Sequence, residues 1–338
     1  MTQIALSAPR DCTLSSSNWN LLSRFWHPVA VTSEIADRPY RFVLLDLNLV
    51  AYRTSAGLTV VLDRCPHRGS SLALGLLRND RLVCGYHGLE FDGAGRCTAM
   101  PPAGANAKIP SRMCLTVFRS EVRYGLLWVS LSDNPIYPLP VWVPLEDPVL
   151  QKARMTPAEW SCSAARHAEN FNDIAHFPWI HGATFADSDN LIAPRYRTEN
   201  TAVGFRRSIK VNQLDREIFG FGRGTTTQMD YEYDFTFPFS SHLKISNPAG
   251  RVEHVFDAAC PMSARRSRIF MIKARNFDLG RPVDEWVALQ EAVNAEDKIM
   301  VESQDPQSLP LDRGAEIHIE ADSWSIAYRR RWKELGME

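Results

Sequence analysis

The sequence has no apolar run long enough to cross a membrane. No stretch in its 338 residues approaches the roughly 18 apolar residues that predict a transmembrane helix. Residues 1–17 also lack the basic start and apolar core of a signal peptide. Basic and acidic residues are nearly equal in number, 38 against 39, which gives a net charge of -1. This balance gives no support for a nucleic-acid or membrane partner, and neither is expected.

Cysteines are few, and their spacing does not indicate a disulfide framework. Seven are present. Those outside the motif described below are scattered through the chain: Cys12, Cys97, Cys114, Cys162 and Cys260. An odd number of scattered cysteines predicts free thiols in a reducing compartment. We therefore expect a cytoplasmic protein.

The chain is long enough for two domains, and its composition, 45% apolar and 23% charged, is ordinary for a globular protein. Prolines cluster between its two halves. The cluster comprises Pro135, Pro138, Pro140, Pro144 and Pro148. Such a segment is extended and cannot be helical. The sequence therefore predicts a first domain over residues 1–134, a proline-rich linker over 135–149 and a second domain over 150–338.

Both halves contain the short apolar segments of antiparallel sheets. In the first half, residues 41–54 and 58–63 flank a Ser-Ala-Gly turn and predict a hairpin. In the second half, tyrosine and phenylalanine alternate with polar residues, which indicates a sheet with one apolar face. Helical patterns follow over residues 282–304 and 323–335, and the basic cluster 329–331 in the latter is expected to face solvent. These patterns predict an α+β fold class.

Two pairs of cysteine and histidine form the clearest motif of the first half. C-P-H at residues 65–67 is followed, after 16 intervening residues that begin at position 68, by C-G-Y-H at residues 84–87. Thiolate and imidazole together suit zinc or an iron–sulfur cluster. A structural zinc site is the alternative, but zinc fingers normally pair cysteine with cysteine, and glycine and serine surround both segments here. A Rieske [2Fe–2S] centre needs two cysteines and two histidines, and we favour it.

Histidines and a carboxylate come together early in the second half. Asp173 and His176 are three residues apart, so a helix would bring them to one face. Pro178 would break that helix, and the turn after it would return His181 to the same point. Two imidazoles near a carboxylate form a metal-site pattern, and the alternative is a histidine-rich helix end in solvent. His167, nine residues before His176, is left outside this site.

A third candidate ligand lies on the predicted helix 282–304. Asp297 falls on the same stripe as Met300, and that stripe is predicted to be buried. A buried carboxylate is costly unless it is paired or binds a metal. Asp305, after the helix, is the rival candidate. Glu296 lies off the stripe and is expected to be solvated.

His176, His181 and Asp297 together match the two-His, one-carboxylate triad of non-haem Fe(II) oxygenases, which leaves iron positions open for O2 and water. Zinc hydrolases also use two histidines and a carboxylate. The upstream redox motif decides between the two, because a hydrolase has no use for an electron supply and O2 activation by iron requires one.

The motifs together resemble those of Rieske non-haem iron oxygenase α subunits. C-P-H-R-G…C-G-Y-H-G resembles the cluster motif, N-F-N-D-I-A-H-F-P-W-I-H the catalytic motif and A-E-D-K-I-M-V-E-S-Q the carboxylate helix. The resemblance covers nearly the whole chain and favours the single-component branch, which includes O- and N-demethylases. It implies a small antiparallel β Rieske domain and a catalytic mononuclear-iron domain, whose antiparallel sheet is covered by helices in the helix-grip manner.

The resemblance also implies roles for single residues. The implied ligands are Cys65 and Cys84 on one cluster iron, His67 and His87 on the other, and His176, His181 and Asp297 on the mononuclear Fe(II). Asn170 would lie near that iron. Asp173 would join its own His176 to His87 of a neighbouring subunit, so that electrons cross a subunit boundary within a homotrimer.

The implied activity is that of an oxygenase component with O2 as co-substrate. A separate NAD(P)H-dependent reductase, with or without a ferredoxin, would supply the electrons. The expected reaction is hydroxylation or oxidative O- or N-demethylation of a small aromatic or heterocyclic substrate. Cis-dihydroxylation of an aromatic ring by a dioxygenase is the enzymatic alternative. A Rieske electron carrier without a second iron is the non-enzymatic one.

Overall fold

The computed structural model describes residues 7–214, 226–312 and 314–338. The chain divides into two compact units, Met1–Pro138 and Leu139–Glu338. This division falls inside the predicted linker. Residues 1–6 of the first predicted domain, and residues 215–225 and 313 of the second, lie outside the described part of the chain.

The first unit consists of a short helix and antiparallel strands. Its elements are α1 (Ser16–Leu22), β1 (His27–Val31), β2 (Tyr40–Leu44), β3 (Leu47–Thr54), β4 (Gly57–Leu62), β5 (Leu76–Arg78), β6 (Arg81–Val83), β7 (Glu90–Phe91), β8 (Cys97–Ala99), β9 (Val117–Arg123) and β10 (Leu126–Ser130), with 3-10 helices at Thr32–Glu34 and Pro101–Ala103. One sheet has the strand order β1-β10-β9-β4-β3-β2, and a smaller sheet has the order β5-β6-β7-β8. The two halves of the cysteine–histidine motif follow β4 and β6, so each begins where a strand ends.

The predicted hairpin is present, with an additional turn. β3 and β4 pair in antiparallel register from Leu49 opposite Leu62 to Thr54 opposite Gly57. The predicted strand over 41–54 is in fact two strands, β2 and β3. It is interrupted because Leu45 and Asp46 adopt φ values of 52° and 63°, which an extended strand excludes.

The second unit is an antiparallel sheet packed against helices. Its elements are β11 (Gln151–Arg154), β12 (Ala158–Trp160), α2 (Ala164–Phe171), α3 (Phe177–Ile180), β13 (Glu199–Asn200), β14 (Gly204–Leu214), β15 (Thr226–Thr236), β16 (Ser240–Ser246), β17 (Val252–Ser263), β18 (Arg266–Arg275), α4 (Asp284–Glu302) and α5 (Ser323–Glu334), with 3-10 helices at Val143–Leu145 and Glu320–Asp322. The sheet order is β11-β18-β17-β16-β15-β14-β13, with β12 also paired to β18. The predicted α+β class, with an antiparallel sheet covered by helices, is confirmed.

The alternating pattern of the second half forms one apolar face of this sheet. Met229, Tyr231 and Tyr233 on β15 are buried and alternate with more exposed polar residues. They pack with Ile174 and Trp286 from the helical side in one core cluster. Period-two alternation turns every second side chain of a strand toward the same face, so this core forms under the helices.

Helix α4 begins and ends within two residues of its predicted bounds, but its buried face differs from the prediction. Trp286 is buried, whereas Met300 is 50% exposed and Val301 is buried instead. The predicted stripe is therefore wrong at its C-terminal end. Among the described residues, no helix combines the length and the apolar character of a membrane span.

Charged side chains are buried where α5 meets α2. Arg329 donates to both oxygens of Glu169 at 2.8 and 2.7 Å. It also lies 2.6 Å from Glu316, which is shared with Arg166. The prediction of a solvated basic cluster is therefore wrong at Arg329 and holds at Arg330, whose side chain is 55% exposed.

Replacing Arg329 with methionine should lower the free energy of unfolding by about 3 kcal/mol, because buried carboxylates lose a partner. Denaturant unfolding followed by tryptophan fluorescence measures the change. Arg330→Met is the matched control, since it removes an exposed charge from the next position, and it should cost less than about 0.5 kcal/mol. Equal losses in the two variants would contradict a stabilising role for the buried cluster.

Candidate active site and metal centres

The two halves of the cysteine–histidine motif fold as the same backbone turn. The Gly69 amide donates to the Cys65 carbonyl at 2.8 Å, and the Gly88 amide donates to the Cys84 carbonyl at 2.9 Å. Both glycines adopt left-handed φ values, 75° and 70°. Glycine takes this conformation at little cost, which explains its position four residues after each cysteine. The turns present the two cysteines and their histidines in matching settings.

The four donor groups of these turns suit a Rieske cluster. Both thiols are buried, and the ring centroids of His67 and His87 lie 4.7 Å apart. Burial raises the pKa of the Cys65 thiol to about 11. Burial also acts to raise the pKa of Cys84, but the Ser70 hydroxyl and neighbouring backbone amides outweigh it, so that pKa is lowered. Two enclosed sulfurs beside two imidazoles form the donor set that a [2Fe–2S] centre of this type requires.

In the second unit, the structure brings together His176, His181 and Asp297. The Asp297 Oδ1 atom lies 3.4 Å from His176 Nε2 and 3.2 Å from His181 Nε2. One donor atom from each residue fits within 4.8 Å of the other two, a spacing at which one metal ion can be held. Asp305 is exposed and is not part of this group of described residues. The donor set fits mononuclear iron, with two imidazoles and one carboxylate on one side.

The local route to this geometry differs from the prediction. Helix α2 ends at Phe171, before Asp173, and α3 begins only after His176. Pro178 lies in the first turn of α3, where its missing N–H costs nothing, so it starts a helix instead of breaking one. His181 follows as the C-cap of this single turn. A turn and a four-residue helix therefore bring the two imidazoles close together.

Each imidazole is oriented by a carboxylate behind it. His176 Nδ1–H donates to Asp173 Oδ2 at 2.8 Å, and His181 Nδ1–H donates to Glu296 Oε2 at 2.7 Å. These bonds orient the rings so that both Nε2 atoms face Asp297, where a metal would bind. The prediction that Glu296 is solvated is therefore wrong. The sequence did contain a signal for this role, because Glu296 directly precedes the candidate ligand Asp297 on the same helix.

Hydrogen bonds and charges around the three donors also set their protonation. Burial acts to lower the pKa of His176, but its bonds to Asp173 and Asp297 outweigh burial and raise this pKa to about 9. Burial acts to raise the pKa of Asp297, and the two imidazoles outweigh it, so the carboxyl pKa is lowered far below its usual range. The Asn170 amide donates to Asp297 Oδ1 at 3.1 Å, and this bond positions the carboxylate.

A cavity opens beside the three donors. It has a volume of about 90 Å³ and lies among α2, α4 and the sheet. Its wall is largely aromatic and aliphatic and includes Phe171, Phe177, Phe185, Tyr231, Leu243 and Val293. His167 also lines it, and its Nε2 is bonded to the buried Asp257 at 2.9 Å instead of joining the metal donors. A small, mostly apolar compound would fit next to the metal-binding side.

Comparison with known families decides the identity of the two units. A model of the Rieske [2Fe-2S] domain matches residues 25–118. A model of the vanillate O-demethylase oxygenase C-terminal domain matches residues 160–338, more than half of the chain. The chain belongs to the Rieske non-haem iron oxygenases. Its closely similar relatives are α subunits of this family.

Individual relatives of this Rieske oxygenase can be aligned with more than half of its length. It is 31% identical over 329 residues to methylxanthine N1-demethylase of Pseudomonas putida, covering 93% of this chain and 89% of that protein. It is 28% identical over 219 residues to the vanillate O-demethylase oxygenase subunit of a Pseudomonas species, covering 57% and 58%. The solved structure of Pseudomonas putida CBB5 NdmA with caffeine gives a TM-score of 0.83 at 29% identity, with 94% and 92% coverage.

Membership in the family establishes the cofactors and the class of reaction. This Rieske oxygenase is an oxidoreductase that carries a [2Fe–2S] cluster and a mononuclear iron and uses O2. It works with a separate reductase and a small-molecule substrate. An electron carrier with a single metal centre would not account for the catalytic domain match over residues 160–338.

Replacing Glu296 with alanine should weaken iron binding at the mononuclear site by roughly tenfold or more, because His181 loses the acceptor that orients it. Iron content after dialysis against a graded series of chelator concentrations measures the affinity. Glu285→Ala is the matched control on the same helix, where Glu285 is exposed, and it should retain iron as the parent does. Equal iron retention in both variants would contradict an orienting role for Glu296.

Proposed function

We propose that this Rieske oxygenase removes a methyl group from oxygen or nitrogen of a small aromatic or heterocyclic compound. The observation that carries the proposal is the group of His176, His181 and Asp297 at the edge of a mostly apolar cavity. Support for demethylation over ring dihydroxylation comes from two relatives that match 93% and 94% of the chain, both of which are methylxanthine N-demethylases. A small methylated ring would place its methyl carbon toward the three donors.

The proposed ligand assignments follow the donor chemistry of the two units. The [2Fe–2S] cluster would be held by Cys65, His67, Cys84 and His87, and the mononuclear iron by His176, His181 and Asp297. When bound, the mononuclear iron would supply O2 activation, using electrons delivered through the cluster. The chain's own residues hold that site in shape: Asp173 and Glu296 orient the imidazoles, and Asn170 positions the Asp297 carboxylate. The domain limits remain those predicted, 1–134, 135–149 and 150–338.

The overall reaction consumes one O2, two electrons and two protons for each methyl group. Hydroxylation of the methyl carbon gives an unstable hemiacetal or hemiaminal, which collapses to formaldehyde and the demethylated compound. The second oxygen atom leaves as water. The electrons would come from a separate NAD(P)H-dependent reductase, with or without a ferredoxin. We propose a cytoplasmic location, which is supported by the absence of disulfide bonds among the five cysteines outside the cluster motif.

Electron transfer would use His87, Asp173 and His176 across a subunit boundary in a homotrimer. Two features support this route. Asp173 is bonded to His176 Nδ1 while its side chain stays 26% exposed, so a group from outside can approach it. His87 is half-buried at the surface of the first unit. Carboxylate contact with both imidazoles would join the two metal centres through hydrogen bonds.

Formaldehyde release tests the proposed reaction. Reduced holoenzyme mixed with O2 and a panel of methoxybenzoates, methoxybenzamides and N-methylxanthines should release one formaldehyde per O2 consumed with at least one compound. Mass spectrometry should show a product smaller by one CH2. A product that keeps its methyl groups and gains two hydroxyl groups on the ring would instead identify a dioxygenase.

Replacing Asp173 with alanine tests the proposed electron route. The visible spectrum of the cluster should be unchanged, while turnover should fall by roughly 10- to 100-fold or more, because the hydrogen-bonded path is interrupted. Iron analysis at about three irons per chain must accompany the assay, since it separates lost transfer from lost metal. Asp189→Ala removes an exposed carboxylate nearby and should retain full turnover. Full activity of the Asp173 variant would overturn the route.

A further inference from the structure

One part of the cavity wall is ionic. Lys273 on β18 and Glu253 on β17 both line the cavity, and each side chain is only 3% exposed. Glu253 lies opposite Arg275 in the strand register, and Lys273 lies opposite Val255, so the pair are diagonal neighbours on one face. Their ammonium and carboxylate groups form an ion pair. The cavity therefore presents one donor group and one acceptor group side by side.

The contacts of Lys273 and Glu253 with protein atoms use only part of their capacity for hydrogen bonds. Trp286 Nε1–H donates to Glu253 Oε1 at 2.7 Å, and Lys273 Nζ pairs with the same oxygen. An ammonium has three N–H donors, and a carboxylate has two accepting oxygens. In the described part of the chain, both contacts of the Glu253 carboxylate are made by its Oε1 atom. N–H groups of Lys273 and the Oε2 atom of Glu253 are thus available to a ligand in the cavity.

The buried Trp286 N–H explains an acceptor at Glu253, but it does not require a full ion pair at this position. Apolar side chains of similar volume often serve a core as well as a buried ion pair or better, because removing two charges from water is costly. The surrounding cavity wall is mostly aromatic and aliphatic. In such a wall, a small number of polar groups fix the orientation of a ligand.

Trp286, the α4 residue that is bonded to Glu253, lies near the start of the helix, whereas Asp297 lies near its end. Trp286, which holds Glu253, precedes Asp297 by 11 positions on α4, from 286 to 297, or about 16 Å at 1.5 Å per residue. Between them, Leu289, Gln290 and Val293 line the cavity. A compound that bonds to the ion pair and fills the cavity would therefore reach toward Asp297 along this side of the helix.

We propose that Lys273 and Glu253 form a subsite for the edge of a substrate that carries a carbonyl oxygen next to an N–H, as in a lactam, an imide or a carboxamide. The carbonyl accepts from the Lys273 ammonium, and the N–H donates to Glu253 Oε2. The methyl group to be oxidised lies at the opposite end, by Asp297. A ligand carboxylate fits less well, because its second oxygen meets the negative Glu253. This subsite deepens the proposed demethylation and rests on it for the orientation of the methyl group.

Two pairs of probes test the subsite by calorimetric binding to oxidised holoenzyme, without electron donor. Theobromine has an N–H between two carbonyls, and caffeine has a methyl on that nitrogen. 4-Methoxybenzamide and 4-methoxybenzoate differ in the same sense. The N–H member of a pair should bind about tenfold or more tightly, because hydrogen bonds to charged groups are strong. Equal or reversed affinities in both pairs, or no binding of any probe, would overturn the subsite.

The double variant Lys273→Met with Glu253→Gln tests the residues themselves. It removes both charges at similar volume, so no buried ion is left alone. The preference within each probe pair should fall to about onefold, with KM raised, while the cluster spectrum and iron content stay unchanged. Retained preference would overturn the assignment. The matched control is Lys210→Met with Asp230→Asn, an exposed ion pair on the same sheet, which should keep the preference.

The subsite and the demethylation reaction can be disproved independently of each other. Formaldehyde release without any preference for the N–H probes would leave demethylation standing and remove the subsite. A preference that the double variant abolishes, in an enzyme that releases no formaldehyde from any compound, would keep the subsite and remove demethylation.

Discussion

The hydrogen bonds from His176 and His181 to the carboxylates behind them are the interactions on which the candidate site depends. A free imidazole can present either nitrogen, and it rotates about two side-chain bonds. Asp173 and Glu296 remove this choice by accepting from both Nδ1 atoms. The Nε2 atoms then face Asp297 as a preformed donor set. The rest of the second unit serves to bring α2, α3 and α4 to this meeting point.

Spacing along the chain was enough to predict the proposed donors of the two cysteine–histidine turns and the two histidines of the second unit. Residues 65–67 and 84–87 carry their donors on short turns, where sequence distance limits spatial distance. His176 and His181 are likewise five residues apart, so any compact local structure keeps them close. The route was still predicted wrongly, because Pro178 suits both the end of one helix and the start of the next.

The partners of these donors were harder to predict, because they come from distant segments. Glu296 is 115 positions from His181. Helical periodicity alone does not show which side of α4 contacts the segment that carries His181. Arg329 was misjudged for the same reason, since its partner Glu169 is 160 positions away. A charged residue is expected at the surface until its counter-ion is known. The sheet was predictable from alternation, whereas the ionic part of the cavity wall was not.

Glu296 and Asp297 are neighbours in the last turns of one helix, and they serve the same metal-binding group from two directions. Asp297 faces both Nε2 atoms, while Glu296 accepts from the far side of His181. The backbone between them allows no independent adjustment. The position of this one helical turn therefore sets both the Asp297 carboxylate and the acceptor that orients His181, so the proposed iron site depends on the turn as a unit.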